Sequence, residues 1–160
     1  MTEPLSVAVG IVEHDAKVLL INRERGAYTD KWALPGGKIE QEEHVDEAVR
    51  REVKEEAGIQ TTFEAYEGIV SEHVIEEDTI QDHFILHICR LSPEETVISD
   101  GAEGQTRWVS LDERDTLDDA IVRSDHRILQ ELTDGQFSGY YCCVIDETDE
   151  RHELVRFESR

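Results

Sequence analysis

The chain has 160 residues, 38 of them acidic and 16 basic, for a formal charge of −22. That balance argues against nucleic acid as a partner, because phosphate backbones need a basic face, and against an anionic membrane surface. A small phosphorylated ligand stays open, because a bound cation can invert the local sign of a site. With 4 Lys against 12 Arg and 38% hydrophobic residues, the composition resembles that of proteins from salt-loving organisms. In molar salt the Debye length is ~3 Å, so an acidic shell is tolerated, and dilute buffer is expected to loosen the chain. The odd count of cysteines (Cys89, Cys142, Cys143) and the absence of a CxxC pair predict reduced thiols in a cytoplasmic protein. No stretch approaches the ~18 apolar residues of a membrane span, and the opening MTEPLSVAVG does not read as a signal peptide.

In chain order, Ser6–Val12 and Lys17–Asn22 read as strands joined by the polar turn Glu13–Ala16. The loop Arg23–Lys31 leads to Trp32-Ala-Leu-Pro-Gly-Gly, where Pro-Gly-Gly breaks regular structure and lets backbone approach a ligand. A helix is predicted over about Val45–Ala57, ended by Gly58. Ala65–Ile75 and His83–Leu91 are rich in β-branched and aromatic residues and read as strands around the acidic turn Glu76–Asp82. His73, His83 and His87 are expected to be half-buried or rim residues rather than metal ligands. Thr106–Leu111 is a short strand, and Ser124–Leu132 a second helix that buries Ile128, Leu129 and Leu132. Tyr140–Ile145 and Glu153–Phe157 form a terminal hairpin within a 134–160 extension. That hairpin either covers a sheet edge or pairs with a second copy as a homodimer, and the residues leave both open. With no repeat or linker, the expectation is one α+β domain over 1–160.

The helix carries the chemistry. At ~100° per residue and with Glu52 at 0°, Val45, Val49 and Ala48 fall near 20°, 60° and 320°. On the same scale Glu55 and Glu56 fall near 300° and 40°, so three carboxylates share the apolar face. Asp46, Glu47, Arg50 and Lys54 take the opposite, solvated side. Carboxylates turned toward a core repel one another and cost several kcal/mol of desolvation unless something compensates. A hard divalent cation with a taste for oxygen ligands does so.

The segment Gly37–Ile59 resembles the Nudix box: Gly37, five residues, Glu43, seven residues, then Arg51-Glu52-Val-Lys-Glu55-Glu56-Ala-Gly58-Ile59. The resemblance implies a mixed β-sheet sandwiched between helices (α/β/α). It implies divalent-metal-dependent hydrolysis of a nucleoside diphosphate linked to another moiety. It places Mg²⁺ or Mn²⁺ on Glu52, Glu55, Glu56 and the carbonyl of Gly37. Arg51 would orient a glutamate, and Glu43, before the helix, would hold the loop–helix geometry through Arg51 or act in catalysis. Glu52 is the first choice of base and metal ligand in one, Glu103 the second.

Further stretches are similar to the MutT branch, which cleaves 8-oxo-dGTP: Val7–Val12, Asn22-Arg23, Leu34–Glu40 and Glu103–Leu111. They imply that Glu103 approaches the metal and that Arg23 contacts substrate. Trp32, Phe84 and Trp108 are candidates to stack on a base or to fill the core, with Trp32 carried as a substrate contact. The Asn by which MutT reads the base near its last helix is missing, and Asp118, Asp119 and Asp125 are the nearest polar residues. The Pro that marks ADP-ribose hydrolases is replaced by Val74 and Ile75. The substrate reading is a nucleoside triphosphate or oxidised dNTP, with ADP-ribose or another nucleotide sugar as alternative. A nucleotide-sensing module without catalysis is the rival of another class.

Overall fold

The protein is described by a computed structural model over residues 3–24, 28–101, 104–113, 120–135 and 137–160. In chain order it forms β1 (Leu5–His14), β2 (Lys17–Arg23), β3 (Trp32–Ala33), β4 (Gly36–Lys38), α1 (Val45–Ala57), β5 (Thr61–Glu76), β6 (Thr79–Pro93), β7 (Gly104–Ser110), α2 (Arg123–Thr133), β8 (Tyr140–Asp146) and β9 (Glu153–Ser159). The β1–β2 turn is made by Asp15 and Ala16 at φ 48° and 60°, the positive values that a two-residue hairpin turn demands.

β1 organises the sheet. It runs parallel to β6 from Leu5 opposite Phe84 to Val12 opposite Leu91, and antiparallel to β4 on its other side. β6 continues to β5, β8 and β9. β1 and β2 pair only beside their turn, and β2 then carries β3 and β7 as its own antiparallel neighbours. Alternation along β1 divides the apolar residues between two faces. Ala8 and Val12 pack with Val49, Val53 and Ala57 of α1, while Val9 and Ile11 pack with Ile128 and Leu129 of α2. The helices thus flank a mixed sheet on opposite faces, the α/β/α arrangement. Among the described residues no helix is long and apolar enough to cross a membrane.

α1 has the predicted bounds. Gly58 closes it at φ 74°, a left-handed conformation that glycine adopts without strain, and its N–H donates to the Lys54 carbonyl at 2.9 Å. The terminal hairpin covers a sheet edge: β8 lies parallel to β5 and buries Tyr141, Cys143 and Ile145, and β9 becomes the new edge. Adjacent Cys142 and Cys143 fall on opposite faces, and all three thiols are free. The short strands β3 and β4 replace what sequence alone reads as loop. They form because β2 and β1 offer open edges beside Trp32–Ala33 and Gly36–Lys38.

Candidate functional site

Arg51 is the hub of a carboxylate cluster at the junction of β4, the following loop and α1. Its Nε and Nη2 donate to Glu43 Oε2 and Oε1 at 2.9 and 2.6 Å, a two-point fork. Nη2 also donates to the Lys38 carbonyl at 3.1 Å, and Nη1 reaches Glu52 Oε1 at 2.9 Å and Glu55 Oε2 at 3.2 Å. Glu43 Oε1 accepts in addition from the Glu40 N–H at 2.8 Å, so the loop is tied to the helix through one guanidinium. The hydrogen bond from Arg51 holds the Glu43 carboxyl below the usual carboxylate range, and the same bond pushes Arg51 further up.

Two of the three helix glutamates turn inward, Glu52 at 8% and Glu56 at 3% exposure. The Glu52 carboxylate lies where a Cβ on residue 37 would stand, so Gly37 is what lets it press against the backbone. Glu56 Oε2 accepts from the Gly36 N–H at 3.2 Å. Glu55 departs from the predicted inward face: its side chain is 58% exposed and drawn toward Arg51, four residues back. Its helical angle near 300° is the rim of the apolar stripe, where a cation one turn away decides the rotamer. Glu103, Asp118 and Asp119 lie outside the described residues. Among the described residues no three His, Cys, Asp or Glu side chains form a ready-made metal cluster.

A cavity of about 300 Å³ opens beside this cluster. Gly36, Gly37 and Lys38 form one side, Val7, Val9, Phe84 and Leu86 supply apolar wall, and Arg23, Tyr28, Glu72, Ser124 and Asp125 supply the polar groups. Glu72, at 2% exposure, comes from the second half of β5, and Asp125, at 8%, from the first turn of α2. Asp125 Oδ2 accepts from the Leu34 N–H at 2.9 Å, and the Cys143 thiol points at Glu72 Oε1 from 3.8 Å. Burial pushes Glu72 up to about 7, opposed by a hydrogen bond with Ser124 and reinforced by Asp125. Burial likewise pushes Asp125 up to about 6, against the Leu34 hydrogen bond and Arg23. The Tyr28 hydroxyl is buried without a hydrogen-bond partner among the described residues, and burial raises its pKa first, the Glu72 charge next.

The structure brings Glu43, Arg51, Glu52, Glu56, Gly37 and Arg23 around one region, with Glu55 on its rim. It does not bring in Trp32, which pairs with Asn22 in β3 and packs on the apolar core. Trp108 donates its ring N–H to the Thr96 carbonyl at 3.0 Å, outside the cavity. Phe84 does line it. His73 and His83 stand half-buried, edge to face at 4.4 Å, and the Tyr66 hydroxyl meets His87 Nδ1 at 2.8 Å. Sequence reading missed Glu72 and Tyr28. The signal for Glu72 was present: with period 2 it shares the inward face of Val70 and Val74, which makes it an acid aimed at the core.

The NUDIX domain family model matches residues 4–132. Over 67 residues the chain is 46% identical to an ADP-ribose pyrophosphatase of Methanocaldococcus jannaschii, covering 41% of this chain and 40% of that one. Over 57 residues it is 37% identical to the nucleoside triphosphatase NudI of Escherichia coli, covering 34% and 40%. The match thus spans about 40% of the length of these curated relatives. Among solved structures, the MutT protein of Bacillus halodurans superposes with a TM-score of 0.72 at 25% identity, covering 96% of each chain. The MutT protein of Methanosarcina mazei Go1 superposes at 0.68 and 23% identity, covering 86% of this chain and 99% of that one.

Proposed function

This chain belongs to the Nudix hydrolase family, and we propose that it hydrolyses a nucleoside diphosphate linked to another group, with the help of a divalent cation. One observation carries this reading. The buried Glu52 carboxylate is pressed on Gly37 and oriented by Arg51, and Gly37 also lines the cavity.

The donor chemistry fits a hard cation. Glu52 and Glu56 are two buried carboxylates beside bare glycine backbone, and buried charge of one sign calls for a counter-charge that prefers oxygen. Glu52, Glu56, the rim residue Glu55 and the Gly37 carbonyl would hold Mg²⁺, or Mn²⁺ in its place. When bound, the ion neutralises diphosphate charge and makes phosphorus easier to attack.

The protein's own residues do the rest. The cavity takes the nucleotide with its diphosphate toward Gly36–Lys38 and its base toward Glu72 and Asp125. Arg23 meets substrate. Arg51 fixes the Glu52 carboxylate so that one oxygen can accept a proton from the attacking water, and Glu43 fixes Arg51. Glu103 is the second candidate for that base. At the cavity floor, a protonated carboxyl donates a hydrogen bond and a charged one accepts, which suits a base edge carrying both kinds of group.

A nucleoside triphosphate or oxidised dNTP is the first substrate choice, supported by the full-length likeness to a MutT protein. The 46% identity to an ADP-ribose pyrophosphatase supports ADP-ribose as the second. The test is a product assay on both classes with Mg²⁺ and with EDTA. Metal-dependent release of a nucleoside monophosphate is expected. Tight nucleotide binding with no product would mean a sensing module instead.

A further inference from the structure

Alternation along β5, β6 and β8 sends one set of side chains to each face of the sheet. On the α2 face, Val70, Leu86, Tyr141, Cys143 and Ile145 are buried in the core. The other face is treated differently at its two ends. α1 lies over one end, on Ala8, Val12, Cys89 and Leu91. The far end carries Ile69 and Ile75 on β5, Ile85 on β6 and Val144 on β8, all half-buried and, among the described residues, in none of the apolar clusters. Register makes them one patch: Ser71 stands opposite Ile85 and Cys142, and His73 opposite His83 and Val144. Burial lowers the pKa of His83 and His87 below the ordinary histidine value, so both are neutral at pH 7. Although 34% of the chain is charged, no Asp, Glu, Lys or Arg holds an outward position of 69–75, 83–87 or 142–144. Charge returns at the border, where β9 sets Arg156 beside Val144 and Glu158 beside Cys142. An uncharged centre inside a polar rim is the layout of a protein–protein interface. β8 and β9 lie beyond residue 132, where the family match ends.

We propose that this face binds a second copy of the chain, sheet against sheet, in a reversible dimer. Charge selects the occupant. A chain at −22 repels nucleic acid and anionic membrane, and a basic partner would be drawn to its acidic surface rather than to its uncharged patch. A second copy also carries −22, so it docks where like charges do not meet, and this face offers that. On the rim Arg156 and Glu158 stand side by side at 3.6 Å, so a two-fold partner sets Arg against Glu on both sides of the axis. Such rim charges fix register and add little affinity. Four strands ~4.8 Å apart, over about seven residues at ~3.4 Å each, give about 450 Å² in plan per copy. Two copies then bury about 900 Å² before side-chain relief is counted, near the ~1,000 Å² of a small specific interface, which sets the expected dissociation constant in the micromolar range.

Sedimentation equilibrium in molar KCl, which screens the repulsion between copies, tests the dimer. The mass is expected to rise from 18.3 kDa toward twice that value between about 1 and 200 µM protein. Val144→Lys and Ile85→Lys each put a charge into the face and should raise the dissociation constant at least about tenfold, with far-UV circular dichroism unchanged. Val97→Lys, at an 88% exposed position outside the face, should leave it unaltered. The wild type gives a readout that needs no variant. Cys142 is the half-exposed one of the three thiols and points out of this face, so its alkylation by iodoacetamide should slow at least about threefold as the dimer fills. A chain that stays monomeric at the highest concentration, a dimer weakened by neither Lys variant, or a dimer whose Cys142 reacts at the monomer rate overturns the proposal. None of these readouts needs turnover, so this proposal and the proposed function stand or fall separately.

Discussion

Two groups of carboxyls lie on either side of Gly36–Gly37 and meet opposite fates. Around Arg51, Glu43 shares a guanidinium with Glu52 and Glu55, and the hydrogen bond from Arg51 favours the charged form of Glu43. Across the cavity, Glu72 and Asp125 are buried deeply enough that desolvation dominates, and the neutral form is favoured up to mildly acidic or neutral pH. The same side-chain chemistry therefore yields acceptors on one side and, on the other, a pair that can both donate and accept a hydrogen bond. A phosphate-and-metal end needs charge, and a base-reading end needs directional hydrogen bonds. The difference is made by where Arg51 stands.

The largest effect should come from the charged side. Glu52→Gln is expected to lower kcat by about 10²–10⁴ with far-UV circular dichroism unchanged, as for loss of a positioned base. Next, Arg51→Met leaves Glu43, Glu52 and Glu55 without their common partner, and urea unfolding should show a loss of about 1–3 kcal/mol. On the neutral side, Glu72→Gln should act through pH. The folded state holds the Glu72 proton to about 7, whereas the unfolded chain releases it near 4.5. Between those values the folded state binds more protons, so stability is full below the lower pKa and falls as pH rises through the window. The wild-type Tm is thus expected to drop by about 5 °C from pH 5 to 8, and Glu72→Gln should flatten that slope. The smallest effect belongs to an ordinary surface pair. Arg156, at 3.6 Å from Glu158 on the exposed strand β9, should cost only about 0.2–0.5 kcal/mol when changed to Ala.

The sequence revealed the charged side far better than the neutral one, for a physical reason. Arg51, Glu52, Glu55 and Glu56 sit within about a turn and a half of each other and Glu43 lies eight residues before Arg51, so helical geometry and a spaced motif make their meeting readable. The bounds of α1 and its closing glycine followed from the same local rules. Glu72 and Asp125 are 53 residues apart in sequence and come together only because β5 and the first turn of α2 border the same cavity. A lone Glu in a β-branched strand looks ordinary alone, and Asp125, though among the polar candidates near the last helix, gives no local sign of Glu72 beside it. Glu55 went astray for a related reason: a helical wheel gives its angle but not the pull of Arg51. β3 and β4 escaped because two- and three-residue strands have no periodicity to detect. The terminal hairpin was visible as strands, while its docking on β5 was a question of tertiary partner that no local pattern answers.

The central claim is that the Glu52 side of the cavity performs metal-dependent cleavage of a nucleoside diphosphate linkage. Its most direct test is ³¹P NMR of wild type and Glu52→Gln with nucleoside triphosphate, 8-oxo-dGTP and ADP-ribose, titrated with Mg²⁺. The account predicts diphosphate-bond cleavage that appears with Mg²⁺ in the wild type and is lost in Glu52→Gln at unchanged fold. Cleavage in EDTA at the same rate, or full turnover in Glu52→Gln, would contradict it.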